Sequence, residues 1–144
     1  MKALLTVTAT LLAFSAPAFA EGDIAKGEKA FKKCKACHVI TDDEGTVIYK
    51  GGKTGPNLYG IIGRVAGTYE GFKYGKSMIA AGEGGLIWDE DTLAAFVADP
   101  KAFLKEVTGE GGAKSKMSFK LKKGGEDVAA YLASVGPEMA AASE

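Results

Sequence analysis

Cys34-Lys35-Ala36-Cys37-His38 sets two thiols three residues apart, with an imidazole directly after the second. On one helical turn, sulfurs so spaced reach the two vinyl-derived positions of a porphyrin as thioethers. The histidine that follows then lies under the iron as its proximal ligand, which is the attachment chemistry of a c-type haem. The chain holds two cysteines and one histidine in all, so each part of this chemistry can fall to one residue only. Other readings of the motif fit less well. A redox-active C-x-x-C pair belongs beside a strand–helix unit, and no alternating strand and helix pattern surrounds this one. Structural zinc takes four Cys or His ligands, whereas the three present here adjoin one another.

Iron held by one histidine has a sixth position. What fills it separates an electron carrier from a haem that binds oxygen, peroxide or gas. Met78, Met117 and Met139 are the candidates once Met1 is set aside with the leader. Met78 falls on a short helical pattern and Met139 in the tail. Met117 sits in Lys116-Met117-Ser118-Phe119, after the loop Gly109-Glu110-Gly111-Gly112, which is long enough to swing across the far face of a haem. A methionine that merely fills core space remains the alternative on position alone.

The elements that must position these groups read as helices joined by loops. Asp23 can cap a helix from about Ile24 to Cys34, with Ile24, Gly27, Phe31 and Cys34 on one face. Residues 41–77 are rich in Gly, Thr, Lys and Asp, and Gly55-Pro56-Asn57 is a firm turn signal. A short helix is expected over Gly75 to Ala81. Asp89-Glu90-Asp91-Thr92 opens a clearer one through Leu93, Phe96 and Val97, its early acids matching the helix dipole. Asp99-Pro100 ends that helix, because the residue before proline is pushed out of the helical region. Lys101 to Val107 can form a turn or two, and Glu126 to Val135 is the last helix, with Val128, Tyr131, Leu132 and Val135 on one face. No strand run stands out. The chain's 20 glycines are about twice the usual share, which suits backbone closely wrapped around a flat group.

Residues 1–20 read as a secretory signal: Lys2, an apolar run from Ala3 to Phe14, and the small-x-small site Ala18-Phe19-Ala20 before Glu21. That run is too short to span a bilayer. Cleavage would leave one domain, residues 21–136, with a loose tail over 137–144. Export fits the cysteines, since c-type haem is attached outside the cytoplasm; the expected location is periplasmic. Formal charge on the whole chain is zero, and loss of Lys2 leaves 17 basic residues against 18 acidic ones. That balance argues against nucleic-acid binding. Lysines nevertheless gather at 26, 29, 32, 33 and 35 and again at 114, 116, 120, 122 and 123, while acids gather at 42–44 and 89–91. A solvated surface is the ordinary reading of any one of them.

Taken in order, these motifs resemble class I cytochrome c over nearly all of residues 22–135. The resemblance is carried by Gly22-Asp23 with Gly27 and Phe31, the CxxCH motif, and Lys53-Thr54-Gly55-Pro56-Asn57-Leu58-Tyr59-Gly60. It continues through Gly63-Arg64, Trp88, Asp99-Pro100, Lys116-Met117 and the helix Glu126 to Leu132. Extra residues near 41–52 and 105–115 make it most similar to the bacterial cytochrome c2 and c550 branch.

The resemblance implies an all-α fold, three main helices plus short helices and loops wrapped around one haem c bound through Cys34 and Cys37. It implies His38 and Met117 as axial ligands, and a Pro56 carbonyl that fixes the His38 ring. It places Tyr74 and Trp88 at a haem propionate with Arg64 close by. Gly27 and Phe31 would lie where the first helix crosses the last, against Val128, Tyr131 and Leu132. One departure stands out: a helix position that is tyrosine in many relatives, donating to the ligating sulfur, is Phe96. The function implied is a periplasmic one-electron carrier, a monomer and not an enzyme, between a cytochrome bc1 complex and a photosynthetic reaction centre or terminal oxidase. Lysines flanking the ligand-bearing segments would then steer docking on acidic partners, with Lys35, Lys53 and Lys120 mattering more than Lys76. The rival reading is a gas sensor or peroxidase-like enzyme with an open sixth position. A peroxidase wants a distal His or Arg arrangement, and there is no second histidine.

Overall fold

A computed structural model of the chain describes residues 22–137; the leader and most of the tail lie outside this range. Five helices and two short strands follow in the order α1 (Ile24–Phe31), β1 (Ile40–Thr41), β2 (Val47–Tyr49), α2 (Lys76–Glu83), α3 (Glu90–Ala98), α4 (Pro100–Thr108) and α5 (Gly125–Val135). Asp23 starts α1 by accepting a bond from the Lys26 N–H, one of the donors a helix start otherwise leaves free. The helix ends three residues earlier than its apolar spacing predicts. After Phe31 the bonds shorten to three-residue steps, Lys33 to Ala30 and Cys34 to Phe31, so the chain runs into the cysteine motif as successive turns.

The two strands correct the expectation that strand structure is absent. β1 and β2 pair antiparallel across Ile40–Tyr49 and Thr41–Val47, with a bulge. Asp42 closes the connection, its carboxylate accepting from the N–H groups of Glu44 and Thr46. Strands of two and three residues are too short to show alternation, and Val47 and Ile48 both face solvent. An isolated bridge joins Val65 to Ile87. Around it, Trp88 N–H donates to the Arg64 carbonyl and Gly63 N–H to the Trp88 carbonyl.

Asp89 and Thr92 form a reciprocal cap at the start of α3. Asp99 both ends α3 and caps α4, where Pro100 takes the first turn that tolerates it. The core is set by α5 lying between α1 and α3. At the first crossing, a Cβ on Gly27 would overlap the Asp127 carbonyl and stand 2.7 Å from the Tyr131 Cβ. Phe31 is wholly buried there, its ring 5.9 Å from that of Tyr131 and 4.8 Å from that of Tyr49. At the second crossing, Gly125 approaches Ala94 and Val97. A second aromatic group, Trp88, Phe96 and Phe103, fills the space between α3, α4 and the bridge, with ring centres 5.1 to 5.9 Å apart. Among the described residues, no helix is long and apolar enough to cross a membrane.

Candidate haem site

The turns after α1 hold Cys34, Cys37 and His38 on one short stretch, because Cys37 and His38 both donate backbone N–H bonds to the Cys34 carbonyl. Both thiols are free, Cys34 half-buried and Cys37 exposed. Burial pushes the Cys34 thiol up to about 11, so its surroundings disfavour a thiolate and accept a neutral sulfur. A thioether is such a sulfur.

His38 is held by its neighbours rather than by its own segment. Its Nδ1 lies 2.8 Å from the Pro56 carbonyl oxygen. A carbonyl can only accept, so Nδ1 carries the proton and Nε2 keeps its lone pair for a metal. Burial draws the His38 pKa below the ordinary imidazole range, with the Pro56 bond opposing; the neutral ring is the form that ligates. Gly55 completes the seat. A Cβ there would stand 2.7 Å from Nδ1 and overlap the ring, so glycine is what lets residues 55–56 lie flat against the imidazole.

The loop bearing Pro56 is in turn anchored by Asn57, whose amide oxygen accepts from the N–H groups of Thr41 and Tyr59 while its NH2 donates to the Thr41 carbonyl. The half-buried Arg64 guanidinium donates to the carbonyls of Asn57 and Tyr59 and lies 4.8 Å from the Tyr69 ring centre. Tyr74 stands near Arg64: burial raises its phenol pKa and the Arg64 charge draws it back down. Trp88 reaches the same region through its backbone pairing with Arg64. Arg64 thus has Tyr74 on one side and the Trp88 backbone on the other. The sequence reading does not assign Asn57, Gly55 or Tyr69 a part here; within the turn Gly55-Pro56-Asn57 it gives a role to Pro56 alone.

Met117 lies in the loop between α4 and α5, half-buried against the core, and Met78 of α2 packs on the same core. Phe96 sits inside the aromatic group with Trp88 and Phe103. Among the described residues, no three His, Cys, Asp or Glu side chains gather as a metal site. A donor set of one imidazole, one thioether and two cysteines suits iron already held in a porphyrin, not a bare ion. The residues fit a covalently bound haem: a seated neutral imidazole, two thiols on the same short stretch, and a methionine on a separate loop.

No protein-family model matches the chain. It is 60% identical over 136 residues to cytochrome c2 of Rhodobacter capsulatus, spanning 94% of this chain and 98% of that protein. It is 56% identical over 135 residues to cytochrome c-551 of Roseobacter denitrificans, spanning 94% and 96%. The solved structure of the R. capsulatus cytochrome c2 matches with a TM-score of 0.78 at 61% identity, covering 79% of this chain and 98% of that one. Ferric cytochrome c-550 from Paracoccus versutus matches with a TM-score of 0.79 at 53% identity, covering 81% and 100%.

Proposed function

Because the chain belongs to the cytochrome c2 and c-550 branch of class I cytochrome c, and so is an electron-transfer protein carrying one haem c on Cys34 and Cys37, we propose that it works in the periplasm. There it takes single electrons from a cytochrome bc1 complex and passes them to a photosynthetic reaction centre or terminal oxidase. The observation that carries the reading is the seat of His38: Nδ1 bound to the Pro56 carbonyl, Gly55 flat against the ring, and Nε2 left to ligate.

The haem, when bound, supplies the ferrous/ferric couple. The protein's part is to hold the ligands still. His38 cannot rotate without breaking its bond to Pro56, and Pro56 cannot move without straining the contacts of Asn57 and Arg64. Met117 would supply the second protein ligand to the iron, and a thioether sulfur there would favour the reduced form relative to a second histidine. With both ligands supplied by the chain, little would need to rearrange as the charge changes. Arg64, Tyr74 and Trp88 would hold the propionate end, with the Arg64 charge offsetting an anion. The exposed lysines 35 and 53 flank the His38 segment and orient acidic partners. Residues 1–20 serve as the export signal.

The test is the absorption spectrum of the purified holoprotein, reduced and oxidised, with and without carbon monoxide. A sharp reduced c-type spectrum, a far-red thioether–iron band when oxidised, and indifference to carbon monoxide are expected. Carbon monoxide binding together with loss of the far-red band would remove Met117 as ligand and bring forward an open-site haem protein.

A further inference from the structure

Among the described residues, Ser77 is the buried polar side chain of the core, 8% exposed. It lies in the first turn of α2, and the sequence reading gives it no role. Its hydroxyl oxygen accepts a bond of 3.0 Å from the backbone N–H of Lys114, 37 residues away. Lys114 is three residues before Met117. A hydroxyl buried among apolar groups is costly unless paired, and here its partner is the backbone of the loop that carries the methionine.

Neighbouring contacts join the same two segments. Ala113 is buried to 1% exposure. The Lys116 ammonium donates to the Lys73 carbonyl, and its stem lies 3.5 Å from where a Cβ on Gly75 would be. The 113–116 stretch is therefore fastened to residues 73–77 at two points, Lys114 and Lys116. On its other side Gly109, at φ +69, ends α4, and a Cβ on Gly111 or Gly112 would meet open space. The loop is exposed over residues 109–112 where it leaves α4, and its next bond to α2 is the one at Ser77.

We infer that Ser77 is a positioning residue for the distal ligand: its hydroxyl clamps the Lys114 backbone and so holds the Met117 sulfur at the iron. This rests on Met117 being that ligand. Without the hydroxyl, the Lys114 N–H loses its partner, the loop opens more often, and an outside ligand competes better for the distal position.

The experiment compares ferric holoprotein of wild type, Ser77→Ala and Val128→Ala, the last being a core truncation in α5 that leaves the Ser77–Lys114 bond in place. Each is titrated with imidazole while the far-red band is followed, and its global unfolding in denaturant is measured. Losing one hydrogen bond to a buried partner predicts about tenfold tighter imidazole binding in Ser77→Ala, with Val128→Ala near wild type despite lower global stability. Faster amide hydrogen exchange at Lys114 in Ser77→Ala supports the same mechanism. Unchanged imidazole affinity in Ser77→Ala, or an equal gain in Val128→Ala, overturns the inference while leaving the Met117 assignment intact. A wild-type protein with no far-red band overturns both.

Discussion

Lys120 Nζ stands 2.7 Å from Asp99 Oδ2, tying the segment that follows Met117 to the residue shared by α3 and α4. The Lys120 bond holds the Asp99 carboxyl below its ordinary range, helped by the N–H of Ala102. A carboxylate depressed in the folded state adds stability above its unfolded pKa and gives it up as pH falls through the lower folded value. Wild type is therefore expected to lose more stability on acidification than Lys120→Gln. The two curves should differ by a constant amount above the ordinary carboxylate range and converge below it, as measured by denaturant unfolding across an acid series. The gap should also shrink with added salt, because both partners are exposed.

The same pair reorders the lysines. Lys120 shares its field with Asp99, whereas Lys35 and Lys53 are exposed and make no salt bridge among the described residues. Charge reversal at Lys35 or Lys53 is expected to slow electron transfer to an acidic partner on the order of threefold at low ionic strength. Reversal at Lys120 should do less, and at Lys76 least. Second-order rates measured against ionic strength check this; equal slopes at all four positions would remove the docking face.

Gly27→Ala forces a methyl into the Asp127 carbonyl and the Tyr131 Cβ where α1 crosses α5. Backbone cannot yield as a side-chain tip can, so the helices must separate, at a cost of about 1–3 kcal/mol. Gly112→Ala, with open space around it and no positive φ, should be nearly neutral. Their unfolding midpoints, compared side by side, test whether it is the crossing or glycine as such that matters.

Why some of this was legible in the chain and some was not follows from the kind of signal involved. Cys34, Cys37 and His38 were readable because their chemistry is local. The later helices were readable because Asp89, Thr92, Asp99 and Pro100 carry capping instructions in their own side chains. The short strands were not, since their pairing is backbone to backbone over two or three residues. Gly55 read as a turn residue, yet its role is room for the His38 ring, a contact between segments that no spacing rule encodes. Ser77 gave no signal at all: one serine in a short helix means nothing until Lys114 is seen beside it.

Phe96 offers the sharpest test of how the distal side is tuned. Its ring is 6% exposed and packs 5.1 Å from Trp88 and 5.8 Å from Phe103, so a tyrosine there would bring a hydroxyl into an apolar group. An unpaired hydroxyl in such a place costs roughly 1–3 kcal/mol. On the proposed ligation by Met117, a hydroxyl that reaches its sulfur recovers part of that cost and alters the donor strength of that sulfur. Phe96→Tyr is therefore expected to shift the reduction potential while lowering stability by less than the unpaired cost. Potentiometry and unfolding on the same sample separate the cases: a moved potential with a small stability loss places the hydroxyl on the sulfur. An unmoved potential with the full loss would mean that Phe96 is core packing alone, and that the absence of tyrosine here leaves the iron untouched.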